Sequence, residues 1–412
     1  MKLASTHLAG PGSADTLGAA LASIAPHVDL CIVIDTLPPE DDAGHVALLA
    51  ACRFEPKHHV VRRPWCDDFG EARNWALHFA AMAGATWAIT LDSDEWIEGG
   101  EELGPFLAAL PDATRAAMMA HASGTYYQPR AIRLPCSARW FGRVHEAIDV
   151  TGPRFERARF CDRPKTPEQM RAKRLRDFEA CLRMIDDAPK DPRWWYYAGD
   201  ALAGLGATTP PEDIRTKNMQ HAVMLFTECA TLPGWDEQAA WAAYRAAEIM
   251  TQHLGQHAEA VEMVARGLAR HAGIAELAWL AALASFRLGR HEQAIHWSRL
   301  ADVHGVPGLG GDGRALRSRT LFREPKGLTF GPAEVRQHAF LAVGDLERAA
   351  EANGQRIRRT PDEALCGVLE EALFAGSGPV CTEPRGHEGD HIADDPETGR
   401  EVSRWANAGP RV

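Results

Sequence analysis

Asp92 and Asp94 flank Ser93 at the end of the apolar run Trp87-Ala88-Ile89-Thr90-Leu91. Side chains at i and i+2 can reach one cation while the residue between them points away. Hard carboxylate oxygens suit Mg²⁺ or Mn²⁺, ions that usually bridge to phosphate oxygens. The plainer alternative is a solvated strand-to-loop turn closed with Glu95. Two carboxylates at the end of a buried strand are costly unless a cation or water compensates them, which favours a metal.

Two further constellations could join them. Trp65-Cys66-Asp67-Asp68-Phe69-Gly70-Glu71-Ala72-Arg73-Asn74 reads as a polar turn opening a helix. Its Arg73 carries a planar fork suited to a carboxylate or a phosphate. Arg139-Trp140-Phe141-Gly142-Arg143-Val144-His145-Glu146 supplies an adjacent acid and imidazole. In extended backbone these two point oppositely and cannot share one role. The plainer reading is a surface His-Glu pair stabilising a turn; in a transfer reaction Glu146 would be the candidate general base, and His145 a third metal ligand or a leaving-group partner. From Arg139 to Arg176 Lys and Arg outnumber Asp and Glu. That excess suits a diphosphate or an anionic acceptor.

Such residues need a scaffold, and the first ~165 residues alternate strand-like and helix-like segments. Strands are expected at Lys2 to His7, Leu30 to Asp35, within Cys52 to Val61, and at Thr86 to Leu91. Helices are expected at Ala14 to Ala25 and Asp68 to Ala83. The alternation predicts a mostly parallel sheet with helices on both faces, and ligands beyond the carboxyl ends of its strands. Asp35, Asp92 and Asp94 all fall at such ends. Residues 166–375 are Ala-rich, amphipathic and helical. Leu254-Gly255-Gln256-His257-Ala258-Glu259-Ala260 recurs 34 residues later as Leu288-Gly289-Arg290-His291-Glu292-Gln293-Ala294. That is the tetratricopeptide period, a helix–turn–helix unit with small residues where helices touch. Weaker copies surround Tyr197 to Gly206 and Phe340 to Ala349. The aromatic run Trp194-Trp195-Tyr196-Tyr197 is expected to pack between helices.

Residues 376–412 form a tail rich in Gly, Pro and charge. Within it Cys381, His387 and His391 could hold a structural zinc, with Asp390, Asp394 or Cys366 as fourth ligand, in a spacing that matches no standard finger. The tail is similar to short tails in proteins of actinobacteria and their phages. Net charge is -11, which argues against a general nucleic-acid coat. The nine cysteines form no C-x-x-C pair, and no signal peptide or ~20-residue apolar span is visible. A cytoplasmic protein of a bacterium or phage-infected host, without a membrane partner, is expected. No P-loop or G-x-S-x-G motif points to an ATPase or serine hydrolase.

The run D-D-F-G-x-A-R-N-x-A-L, the following L-D-S-D-E-W and the later G-R-V-H-E resemble the family 2 glycosyltransferases. The likeness is to the bacterial branch in which a nucleotide-diphospho-sugar (GT-A type) domain precedes tetratricopeptide repeats. It implies an α/β GT-A domain over residues 1–165 and an all-α repeat domain over 166–375. It also implies inverting transfer of a hexose from a nucleotide-sugar donor, most naturally a UDP-sugar, to an acceptor hydroxyl. On this resemblance Asp92, Asp94 and His145 hold Mn²⁺ or Mg²⁺. Thr6, Asp35, Asp68, Arg73, Asn74 and Asp92 line the donor, and Glu146 and His145 carry the chemistry. Asp35-Thr36-Leu37-Pro38-Pro39 departs from the family's D-T-G-S continuation. A stacked helical array suits a polypeptide acceptor docked on the repeats. The alternatives are a phage enzyme glucosylating modified DNA bases, and a non-catalytic repeat scaffold with a decayed transferase domain.

Overall fold

A computed structural model describes residues 1–53, 58–123, 126–207, 212–304, 324–359, 391–394 and 401–405. The chain divides into two units, Met1–Thr209 and Pro210–Val412. The boundary expected at 165/166 therefore falls inside the first unit.

The first unit is built on β1 (Leu3–Ala9), β2 (Leu30–Asp35), β3 (His58–Arg62), β4 (Trp87–Thr90), β5 (Glu95–Glu98), β6 (Ala116–His121), β7 (Tyr127–Arg133) and β10 (Arg154–Asp162). They form one sheet in the order β3-β2-β1-β4-β7-β6-β10-β5. The short strands β8 (Trp140–Phe141) and β9 (Ala147–Ile148) pair separately. Strands β3, β2, β1 and β4 run parallel. The second half departs from the expected parallel sheet. There β4–β7, β7–β6 and β10–β5 are antiparallel, and only β6–β10 is parallel. Pro129, which has no N–H for a ladder, and Arg130 interrupt the apolar alternation of β7, and a register shift follows Ala117.

Strand β2 is buried on both faces, and its alternation explains why. Leu30, Ile32 and Ile34 pack with Ala72, Ala76, Leu77 and Ala80 of α3 (Phe69–Met82). Cys31 and Val33 pack with Leu17 and Leu21 of α1 (Ala14–Ile24) and Leu48 of α2 (Asp42–Ala51). Helices thus cover both faces of the parallel half, as expected. A third cluster joins Trp87, Ile89 and Met119 of the sheet to Leu103 and Leu107 of α4 (Leu103–Ala108). After β10 the chain enters α5 (Pro167–Asp187), opened by a Thr166–Gln169 capping box with proline in its first turn, and then α6 (Pro192–Ala207).

The second unit opens with α7 (Glu212–Thr231) and continues as helix pairs: α8 (Asp236–Gln252) with α9 (His257–Arg270), α10 (Ala275–Arg287) with α11 (His291–His304), and, after the short α12 (Pro325–Leu328), α13 (Gly331–Ala342) with α14 (Leu346–Arg359). Gly255, Gly289 and Gly344 stand at the turns within the pairs with φ of 66°, 72° and 78°. At Gly289 the Arg290 N–H returns to Ser285 O at 2.9 Å, and at Gly344 the Asp345 N–H returns to Phe340 O at 2.9 Å. These are Schellman closures, which satisfy carbonyls that a helix end otherwise leaves open. Five residues after each glycine stand Ala260, Ala294 and Ala349, all buried, where only a small side chain lets helices approach. The helix–turn–helix reading holds for all three pairs, including the weaker copy around Phe340.

Tail residues Cys381 and His387 lie outside the described residues. His391 opens β11 (His391–Asp394), which pairs antiparallel with β12 (Glu401–Trp405).

Candidate active site

Beyond β4 the chain turns sharply. The Glu95 N–H reaches Asp92 O at 3.1 Å, and the Asp92 N–H reaches Glu95 Oε2 at 2.8 Å. This turn delivers Asp92 and Asp94 to the rim of a cavity of 570 Å³. Arg73, Trp140, His145 and Glu146 line the same cavity, as do Arg130, Lys165, Lys173, Arg176 and Asp177.

Two motifs distant in sequence are locked together here. Asp68 caps α3 by accepting the Glu71 N–H at 2.9 Å. The next free donors of that helix end, Phe69 N and Gly70 N, reach Arg143 O at 3.0 Å and Gly142 O at 3.1 Å. Gly70 allows this approach, since a Cβ there would stand 3.1 Å from Phe141 and Gly142 backbone. Asn74 completes the seam. Its amide nitrogen donates to Trp140 O and its amide oxygen accepts the Trp140 N–H, both at 2.9 Å. The R-N pair thus divides its labour: Asn74 holds β8, and Arg73 faces the cavity.

The buried Arg73 donates through Nη2 to Asp92 Oδ1 at 2.7 Å and through Nε to Glu146 Oε1 at 2.6 Å. Its face lies over the Trp140 ring, and Nη1 has no hydrogen-bond partner. Burial would weaken the hold of this guanidinium on its proton, but Asp92 and Glu146 more than offset that and raise its pKa. Burial likewise works against the Asp92 carboxylate, yet Arg73 and then Arg130 hold it below the usual range. Arg130 forks onto Glu95 at 2.7 and 2.6 Å. Burial still pushes the Glu95 carboxyl up, with Asp92 adding to it. Asp94 accepts from Lys165 Nζ at 2.7 Å.

His145 is held on the helical side. Its backbone is left-handed, with φ of 48°, which also breaks the extended geometry expected for the His-Glu pair. Its ring stacks on Tyr197 of α6, centroids 3.9 Å apart and planes 5° from parallel. Nε2 lies 3.7 Å from Asp177 Oδ2 of α5, and the His145 carbonyl accepts from Arg193 Nη2 at 2.6 Å. Burial lowers its pKa against the pull of Asp177. Tyr197, expected to pack between helices, therefore packs on a candidate site residue.

Among the described residues, no group of three or more His, Cys, Asp or Glu side chains is arranged to hold a metal ion. Asp92, Asp94 and His145 do not form the three-ligand set expected, because His145 is turned to Tyr197 and Asp177. Two carboxylates on one rim do fit Mg²⁺ or Mn²⁺, which takes one or two carboxylates and fills its other positions with phosphate and water. A cation bound there would compete with Arg73 and Lys165.

Three expected donor residues lie elsewhere. Thr6 is buried in β1, its hydroxyl 3.3 Å from Thr90 Oγ1. Asp35 is only 1% exposed, with one oxygen on His45 Nδ1 at 2.6 Å and the other accepting the Leu37 N–H at 3.0 Å. It braces the end of β2 and has no oxygen turned outward for a nucleoside. Asp68 is the helix cap already described.

Sequence reasoning missed Arg130 and Asp177. Neither sits in a motif; Arg130 finds its partners in Glu95 and the Thr90 carbonyl, far back along the chain, and Asp177 finds its own within α5. Lys165, Lys173 and Arg176 were signalled only by the local basic excess. Much of that excess is consumed internally: Arg139 pairs with Glu71, Arg143 with Asp67, Arg157 with Glu102 and Lys165 with Asp94.

No protein-family model and no curated protein matches the sequence. Solved structures that it resembles include a MamA fragment from Desulfovibrio magneticus RS-1, at 18% identity and a TM-score of 0.31, covering 46% of this chain and 94% of that one. A thermophilic TPR protein of Thermus thermophilus matches at 16% identity and a TM-score of 0.28, covering 49% and 92%. PilW, a type IV pilus biogenesis factor, matches at 15% identity and a TM-score of 0.29, covering 49% and 91%. Among the described residues, no helix is long and apolar enough to cross a membrane.

Proposed function

We propose that the first unit is a glycosyltransferase that moves a hexose from a nucleotide-diphospho-sugar, a UDP-sugar being the first choice, to an acceptor hydroxyl. One observation carries this reading: Asp92 and Asp94, ejected beyond a parallel strand, share a cavity of 570 Å³ with Glu146 and with several cations. That volume lies within the range of small-molecule sites. The parallel order β3-β2-β1-β4, with the carboxylates at the carboxyl end of β4, is also where an α/β sheet binds nucleotides.

In this reading Glu146 takes the proton from the acceptor hydroxyl as that oxygen attacks the anomeric carbon. The bond from this carbon to the diphosphate oxygen breaks, and its electron pair leaves with the diphosphate. Attack opposite the leaving group inverts the centre. Arg73 fixes Glu146 by its 2.6 Å hydrogen bond, and Trp140 and Phe69 shield the cavity wall. The chemistry expected of Mg²⁺ or Mn²⁺ at Asp92 and Asp94 is neutralisation of charge on the leaving diphosphate.

The acceptor we favour is a polypeptide held by the helix-pair unit, since stacked helix pairs present surfaces suited to extended chains. Modified DNA is less well supported, because the basic stretch is largely spent in internal ion pairs and net charge is -11. A thermal-shift screen of nucleotide sugars with and without Mn²⁺ tests the reading. A UDP-sugar that stabilises the protein only with the ion supports it. Indifference to every nucleotide sugar favours the non-catalytic scaffold.

A further inference from the structure

The cavity walls carry opposite local charge. On the sheet side Arg73 is divided between two carboxylates, Asp92 and Glu146. On the α5 side the count reverses: Lys173 and Arg176 share the single carboxylate of Asp177. Asp177 is 3% exposed, and its two oxygens are split between them. Oδ2 takes Lys173, while Oδ1 takes Arg176 through Nε at 3.1 Å and Nη2 at 2.8 Å. Arg176 is further steered by the Phe69 ring beneath it, 5.1 Å from the centroid. Both cations keep substantial exposure, 37% and 50% of their side chains, while the carboxylate that aims them is buried. Helical spacing explains the cluster, because residues at i, i+3 and i+4 fall on one face.

We propose that Lys173 and Arg176, aimed by Asp177, form an anion subsite on α5 that takes the diphosphate of the donor. The assignment rests on the donor reading above for its ligand, though not for its existence. A buried carboxylate holding two cations in place is a preorganised device: the ligand need not order two long side chains when it binds. The planar Arg176 fork and the Lys173 point charge suit phosphate oxygens. Because the subsite consists of this chain's own cations, it works without a divalent ion.

The test is titration of the full chain with inorganic pyrophosphate by calorimetry in EDTA. Wild-type protein should bind, and Lys173→Gln/Arg176→Gln should bind about tenfold more weakly or worse, the effect of losing charge-assisted hydrogen bonds. That double variant leaves Asp177 buried without its cations and could unfold. A triple variant that adds Asp177→Asn removes the stranded charge and should melt close to wild type while keeping that loss of affinity. Undiminished binding by the folded triple variant, or no binding by wild type, overturns the subsite. Pyrophosphate binding that depends on Lys173 and Arg176, with no UDP-sugar bound under any condition, would leave the subsite standing and remove the donor reading instead.

Discussion

Arg73 and Asp92 are joined across 2.7 Å, although they lie in separate motifs and on separate elements. The Asp92 carboxylate, a candidate metal ligand, is thus already paired from within the chain. The same guanidinium carries Glu146, so the candidate base and the candidate metal ligand are positioned by one side chain.

Removing that side chain should therefore disturb both at once. Arg73→Met strands two carboxylates, and breaking a fully buried ion pair costs several kcal/mol. The Asp92 side chain keeps 39% exposure, so water recovers part of this. A loss of about 2 kcal/mol is expected in urea unfolding. Asp92→Asn/Arg73→Met should recover part of the loss, and a double variant no better than Arg73→Met would contradict the shared-charge account.

Stability should fall with acid earlier than carboxylate titration alone requires. His7 is buried beside Ser5, and burial lowers its pKa to about 4 against the pull of Asp92. The unfolded chain binds this proton near pH 6.5 and the folded chain does not, so stability is lost as pH drops from 6.5 toward 4. The full contribution is about 3 kcal/mol. His145, lowered in the same direction, adds to it. Asp92, held low, contributes stability that is lost only below about pH 4. Urea midpoints at pH 7 and pH 4.5 measure the first effect, and His7→Gln should flatten it. An equal slope in that variant would place the titration elsewhere.

Two glycines separate backbone strain from lack of space. Gly289 has φ of 72° with nothing within 4 Å of an added Cβ, so Gly289→Ala should cost about 1 kcal/mol, the left-handed penalty alone. Gly142 has φ of 103°, and its Cβ would stand 2.7 Å from Trp194 Cη2. Gly142→Ala should therefore cost more, about 3 kcal/mol. It should also lower donor turnover, because residues 140–146 hang from that turn. Equal melting temperatures for the two variants would refute the packing argument.

What could be read from the sequence was what is local. The β2 strand, the α3 helix, the 34-residue helix pairs and the Asp92–Asp94 turn all follow from spacing within a few residues. The antiparallel half of the sheet was not legible, because Pro129 and Arg130 mask the alternation of β7, and Ala116–Met119 reads as readily as helix. Arg73 was recognisable as a carboxylate partner from its fork. That Asp35 is spent on His45, and that His145 stacks on Tyr197, depend on contacts between distant segments that no local pattern announces. Asp177 has Lys173 and Arg176 beside it at helical spacing, but its burial and its approach to His145 come from packing that the spacing does not announce.

Glu146→Gln keeps the shape of the side chain and removes its charge. It should lower the transfer rate about 10²-fold or more while leaving donor affinity within a few-fold. A normal rate, read from single-turnover transfer, would move the base elsewhere.

Release of UDP from a UDP-sugar in Mn²⁺, by wild type and by Asp94→Ala, isolates the role of the carboxylates beyond β4. The Asp94 side chain is 33% exposed and bonded to Lys165, so its loss should leave the melting temperature nearly unchanged. Wild type should release UDP only with Mn²⁺, and the folded variant should release none. Equal release by both proteins would show that Asp94 holds no catalytic ion.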